Sequence, residues 1–167
     1  MTLDIAIDSD AEWDSSNDWA TLARSAAVAA IAESAFPQLG SGPRSVELSV
    51  RLTSDAEVHA LNAEWRGKDK PTNVLSFPMA EPDDLTAAEP GPELMLGDVI
   101  LARGVCMSEA ADKGISLESH AAHLMVHGTL HLLGYDHMDD DSAADMESRE
   151  VRALARLGIA DPYVGGR

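Results

Sequence analysis

The sequence predicts an α+β fold, a small mixed sheet of four strands packed with about five helices, one of them central and histidine-bearing. Three observations carry that prediction. Residues 45–53, SVELSVRLT, alternate apolar and polar side chains with the period of a half-buried strand, while longer segments repeat their apolar residues at helical spacing. Serine, aspartate and glycine stand at the starts and stops of those helical segments. Helices and strands are interspersed, but not in the regular alternation of a doubly wound sheet.

Taken in order, LDIAID at 3–8 reads as a short strand, followed by an acidic turn and an amphipathic helix over 18–36 that stops near Pro37 and Gly40. In the next strand Val46, Leu48, Val50 and Leu52 alternate with Glu47, Ser49 and Arg51. Ser54 and Glu57 form a capping box for a second helix, whose Val58, Leu61 and Trp65 share a face and which Gly67 ends. NVLSF and LGDVILA are apolar enough for two further strands. Between them, AEPDDLTAAEPGPEL at 80–94 holds three prolines and five acids and is expected to be a mobile loop. A short helix over 103–113 ends at Gly114, and Ser116 caps the histidine-bearing helix, which is apolar in most directions and so expected to be buried. The segment DDDSAADMESREVRALARLG supplies a last helix, with acids early and arginines late, the favourable sense for its dipole.

At 167 residues the chain is expected to fold as a single domain spanning 1–167. The lone cysteine, Cys106, excludes an intramolecular disulfide. MTLDIAIDSD lacks the basic start and apolar run of a secretory signal, and the alanine-rich stretch AAVAAIA is only seven residues, far short of the roughly 20 that span a bilayer. A cytoplasmic protein without a membrane segment is therefore expected. The formal charge of -17 argues against loose, general binding to a polyanion. A local site remains open, because a dication and clustered Lys and Arg outweigh carboxylates that lie beyond a screening length of about 10 Å.

The most informative stretch is HGTLHLLGYDH at 127–137, which holds three of the six histidines. His127 and His131 are four apart, so their rings project from one helical face. Gly134 falls where the helix can end in a left-handed residue, letting the chain reverse and bring His137 towards the first two rings. That is a metal site in outline, and three histidines suit a catalytic zinc that keeps its fourth position for water. The competing reading is a chance cluster of core or surface histidines, but buried imidazoles need partners for both nitrogens. His120 and His123 lie on nearly the same face; each is an alternative fourth ligand, though packing or the orienting of a ligand suits their position better. Asp136 and Asp139 to Asp141 read as solvated or helix-start acids, with a ligand-orienting role open to one of them.

The spacing H-x-x-x-H-x-x-G-x-x-H is similar to that of metzincin peptidases, which carry a glutamate after the first histidine as general base. Here that residue is Gly128, so peptide hydrolysis by that route is not expected. Instead HGTLHLLGYDH resembles the signature of the YbeY family, bacterial metal-dependent endoribonucleases of ribosomal RNA maturation. LNAEWRGKDKPTNVLSFP at 61–78 and LGDVILA at 96–102 are similar to two further stretches of that family, so the resemblance covers about 45–158. It implies that His127, His131 and His137 bind one zinc ion per chain and that Arg66 is the functional arginine. It also implies a zincin-like α+β fold, cytoplasmic location and work on 16S ribosomal RNA at the small ribosomal subunit. Arg66 sits in RGKDK, the most basic patch of an acidic chain, where it is either a solvated helix-end cation or a planar fork for a scissile phosphate. Asn73 stands where many members have aspartate and is assigned no chemistry. An assembly factor with a mainly structural zinc, docked on basic small-subunit proteins, is the alternative to an endoribonuclease.

Overall fold

A computed structural model describes residues 2–10, 13, 18–40, 45–86, 93–136 and 138–163. In chain order the first half runs β1 (Thr2–Ser9), α1 (Trp19–Ala32), β2 (Ser45–Thr53), α2 (Asp55–Arg66) and β3 (Val74–Pro78). The second half runs α3 (Pro82–Thr86), β4 (Leu94–Ala102), α4 (Arg103–Lys113), α5 (Leu117–Leu132) and α6 (Asp140–Arg156). The four strands form one sheet in the order β1, β2, β4, β3. β1 with β2 and β2 with β4 are parallel, whereas β3 runs antiparallel along β4 and makes one edge of the sheet. The fold is therefore α+β with a mixed sheet, as the order of segments predicts.

The alternation in β2 decides which face becomes the core. Val46, Leu48, Val50 and Leu52 are all buried on one side and join a cluster with α1, α5 and α6. In α1 the buried stripe is mostly alanine, with Ala23, Ala26, Ala27 and Ala30, which lets α5 pack closely against it. α5 is buried on nearly every side, as its all-round apolarity predicts. On the opposite face α2 covers a smaller cluster of Val58, Leu75, Ile100 and Ala102.

The helix ends follow the chemistry of their capping residues. Ser54 accepts a hydrogen bond from Glu57 N at 3.2 Å, but the return arm of a capping box is not made, because the Glu57 carboxylate pairs with Arg51 across from β2. Ser116 caps α5 through Ser119 N at 3.1 Å, and Asp139 caps α6 through Ser142 N at 2.7 Å. α4 has no side-chain cap of its own; Asp55, the first residue of α2, accepts from Val105 N at 3.1 Å instead.

Three further expectations are corrected. The first helix ends at Ala32, earlier than residue 36, and a 3-10 turn at Pro37–Gly40 follows it. The loop expected over 80–94 contains the one-turn helix α3, a sixth helix among the described residues; Pro82 suits a first helical position, and Leu85 is buried. Residues 87–92 of that loop lie outside the described residues. Trp65 does not share a buried face with Val58 and Leu61: its exposure is 66%, and the buried partner of Val58 on α2 is Asn62. Among the described residues no helix is long and apolar enough to cross a membrane.

Candidate metal centre

The carboxyl end of α5 is built to turn sharply and hold its shape. Tyr135 N donates to Leu130 O at 3.1 Å and Gly134 N to His131 O at 3.0 Å, the paired bonds of a Schellman ending. That ending needs positive φ at Gly134, which is +97° there, a value that side chains with a Cβ rarely adopt. Tyr135 then anchors the exit: its hydroxyl accepts from Ala35 N at 2.9 Å, and the Arg149 guanidinium lies 4.9 Å from its ring centre. His137, third of the predicted trio, lies outside the described residues.

The structure brings His127 and His131 together with their Nε2 atoms 3.0 Å apart and their rings edge to face. Either one ring donates to the other, or both lone pairs aim at a shared cation. Two imidazole nitrogens on a tetrahedral zinc, each with a bond of 2.0–2.1 Å, stand about 3.3 Å apart, so this pair needs little adjustment to share one ion. Both histidines open on a cavity of about 740 Å³, which Arg66, Trp65, Phe77 and Asp136 also line. Arg66 reaches it from the end of α2, and Phe77 from edge strand β3. A cation ligand pair, a guanidinium and an accessible aromatic surface thus share one opening, a combination suited to a phosphate ester.

Gly128, where a metzincin has its glutamate, has a structural reason of its own. A Cβ on it would stand 2.6 Å from Val99 Cγ1 and 3.2 Å from Ser76 Oγ, so this turn of α5 lies directly on the sheet. A glutamate side chain has no room at that position.

The two upstream histidines turn away from the cavity towards carboxylates. His120, 1% exposed, bonds Glu109 Oε1 at 2.8 Å, and the same oxygen accepts from Asn73 Nδ2 at 3.0 Å. Burial pushes the His120 imidazole below its ordinary pKa, against the pull of Glu109. His123 bonds Glu150 Oε1 at 2.8 Å, and His127 Nδ1 lies 3.2 Å from the same oxygen. Glu150 is fully buried; burial alone would raise its carboxyl, but hydrogen bonds from His123 and His127 prevail and bring it down to about 2. Asp139, one of the acids weighed as a ligand-orienting group, is the α6 cap, and Asp136 lines the cavity.

Two residues that shape the site do not stand out by residue type in the sequence. Asn62 is 1% exposed; its side-chain amide donates to Lys70 O at 2.8 Å, while its backbone carbonyl accepts from Lys68 N at 3.1 Å. It pins the RGKDK loop beside Arg66. Glu150 sits among the arginines and glutamates of α6, where its neighbours Arg149 and Glu147 look no different by type. Its burial on the inner face with Met146, Ala153 and Leu154 is the helical spacing that could have marked it. Elsewhere, Asp4, Glu47 and Glu93 gather three carboxylates within 4.8 Å, away from the cavity. Hydrogen bonding to Glu93 raises the Glu47 carboxyl, as shared protons do in clusters of like charge.

Comparison with known proteins shows the family. A family model described as Endoribonuclease YbeY matches residues 9–158. A protein of Sphingopyxis alaskensis named Endoribonuclease YbeY is 56% identical over 156 residues, covering 92% of each chain. Another so named, from Rhizorhabdus wittichii, is 51% identical over 164 residues and 96% of each chain. The solution structure of TM1509 from Thermotoga maritima superposes with a TM-score of 0.55 at 22% identity, covering 92% of this chain and 91% of that one, and shares the fold. With its signature stretches, its fold and its match over residues 9–158, the chain belongs to the YbeY family.

Proposed function

We propose that this protein is a metal-dependent endoribonuclease that uses one zinc ion in the maturation of 16S ribosomal RNA, working in the cytoplasm on the small ribosomal subunit. The observation that carries the reading is the meeting of His127 Nε2 and His131 Nε2 at 3.0 Å in the cavity that Arg66 also lines. The names of the relatives support RNA as substrate, and the resemblance of the three signature stretches supports its ribosomal origin. His127, His131 and His137 would hold the ion, which when bound supplies a Lewis acid and lowers the pKa of its water towards about 7. Arg66 binds the scissile phosphate and offsets the charge that develops on its oxygens. The loop pinned by Asn62 carries Lys68 and Lys70 to neighbouring phosphates, which gives an acidic chain one locally basic lip. The remaining negative charge favours docking on basic ribosomal proteins, which would bring the enzyme to RNA it binds weakly alone.

The test is cleavage of a small-subunit RNA fragment by purified protein, before chelation, after chelation and after zinc is returned. Cleavage that disappears with the metal and returns with it supports the reading. No cleavage with any divalent ion, together with retained binding to the small subunit, would instead make the protein an assembly factor. The cut ends identify the nucleophile: a 5′-phosphate and 3′-hydroxyl report attack by water, a 2′,3′-cyclic phosphate attack by the ribose hydroxyl.

A further inference from the structure

Glu150 has no exposed surface, and a carboxylate at that depth costs several kcal/mol unless donors meet it. Three do, all on one oxygen. His123 Nε2 stands 2.8 Å from Oε1, the Tyr163 hydroxyl 2.9 Å and His127 Nδ1 3.2 Å. The donors come from two different places: α5 supplies the two histidines and the segment after α6 supplies the tyrosine.

An ionised carboxylate only accepts, so the His127 contact requires the proton on Nδ1. A neutral ring protonated at Nδ1 has its lone pair on Nε2, the nitrogen that meets His131 in the cavity. We propose that Glu150 is a positioning residue for the metal centre: through Nδ1 of His127 it fixes the tautomer and ring plane that present Nε2 to a divalent cation. The proposal rests on His127 being a ligand. His123 and Tyr163 are then the groups that keep the carboxylate in place, which explains why a histidine one turn from the ligands faces inward. Carboxylates behind ligating histidines set ring orientation and ligand basicity, and their loss costs about 10-fold to 100-fold in metal affinity or activity.

The experiment uses the full chain with zinc itself. First, nitrogen-15 NMR of the metal-free wild type should show His127 as the Nδ1–H tautomer. Then zinc affinity, measured by competition with a chromophoric chelator, should fall about 10-fold to 100-fold in Glu150→Gln, with folding verified by circular dichroism. A carboxylate that served packing alone would lower the melting temperature and leave zinc affinity of the folded protein unchanged. An Nε2–H ring at His127 in the metal-free wild type overturns the proposal, as does a folded Glu150→Gln whose affinity lies within about twofold of wild type, where about 10-fold or more is expected. The NMR measurement decides the matter even if the variant does not fold. Wild-type protein that binds no zinc overturns the ligand assignment itself, an outcome distinct from wild-type binding that the variant retains.

Discussion

The two halves of α5 carry the same side chain on nearly one face, yet they serve opposite ends. His120 and His123, in the first half, are buried and turned onto Glu109 and Glu150. His127 and His131, in the second, open on the cavity and face one another. What separates them is the position of the carboxylates on neighbouring helices. An imidazole nitrogen bonded to a carboxylate is already committed, while one turned towards a second imidazole is placed to meet a shared cation. His127 belongs to both halves, with Nδ1 on Glu150 and Nε2 on His131.

The largest effect should come from breaking the open half. His131→Ala should reduce RNA cleavage to the level of chelated protein and remove bound zinc, as read by metal analysis, while the equivalent change in the buried half, His120→Gln, should keep the zinc. Next comes the group across the cavity: Arg66→Ala should lower kcat by about 10²-fold to 10³-fold with zinc content unchanged, and Arg66→Lys should recover only part of it. Full activity in Arg66→Ala would remove the arginine from the mechanism.

The seam between the halves is Gly128, seated on the sheet. Gly128→Ala places a methyl against Val99 Cγ1 and should cost about 1–3 kcal/mol in urea unfolding, with Val99→Ala restoring part of the loss. The smallest effect concerns pH in the buried half. Burial lowers the His120 pKa in the folded state below the ordinary 6.5, so the unfolded chain takes up a proton that the folded chain refuses. Stability from this group is complete above about pH 6.5 and declines as pH falls below it. The urea midpoint of wild type should therefore drop between pH 7.5 and pH 5.5 by more than that of His120→Gln; equal slopes would assign the acid sensitivity elsewhere.

Local chemistry made much of this legible in the sequence. Ser54, Ser116 and Gly134 act within one helical turn of themselves, so their roles follow from neighbours a few residues away. The alternation in β2 and the four-residue interval between His127 and His131 are equally local. Glu150 was not legible, because its partners lie 23 and 27 residues away on another helix, a relation set by how α5 and α6 pack. Trp65 was misread for a related reason. Periodicity names residues that share a face but not how far the covering sheet extends, and the last turn of α2 runs past its cover. The one-turn helix at 82–86 was hidden by the prolines and acids of the surrounding stretch, though Pro82 at a first helical position and Asp84, which accepts from Glu81 N, both favour a helix start.

The bond from Val105 N to Asp55 has a mechanical consequence. It bolts the far end of α2 to the start of α4, leaving Arg66 at the tip of a lever of 12 residues, about 18 Å long. Any change in the tilt of α2 about that joint would displace its carboxyl end, where Arg66 sits, more than its start. The aim of the proposed phosphate-binding group thus depends on a joint remote from the cavity, where a substitution would retune the enzyme without altering a residue that lines the cavity.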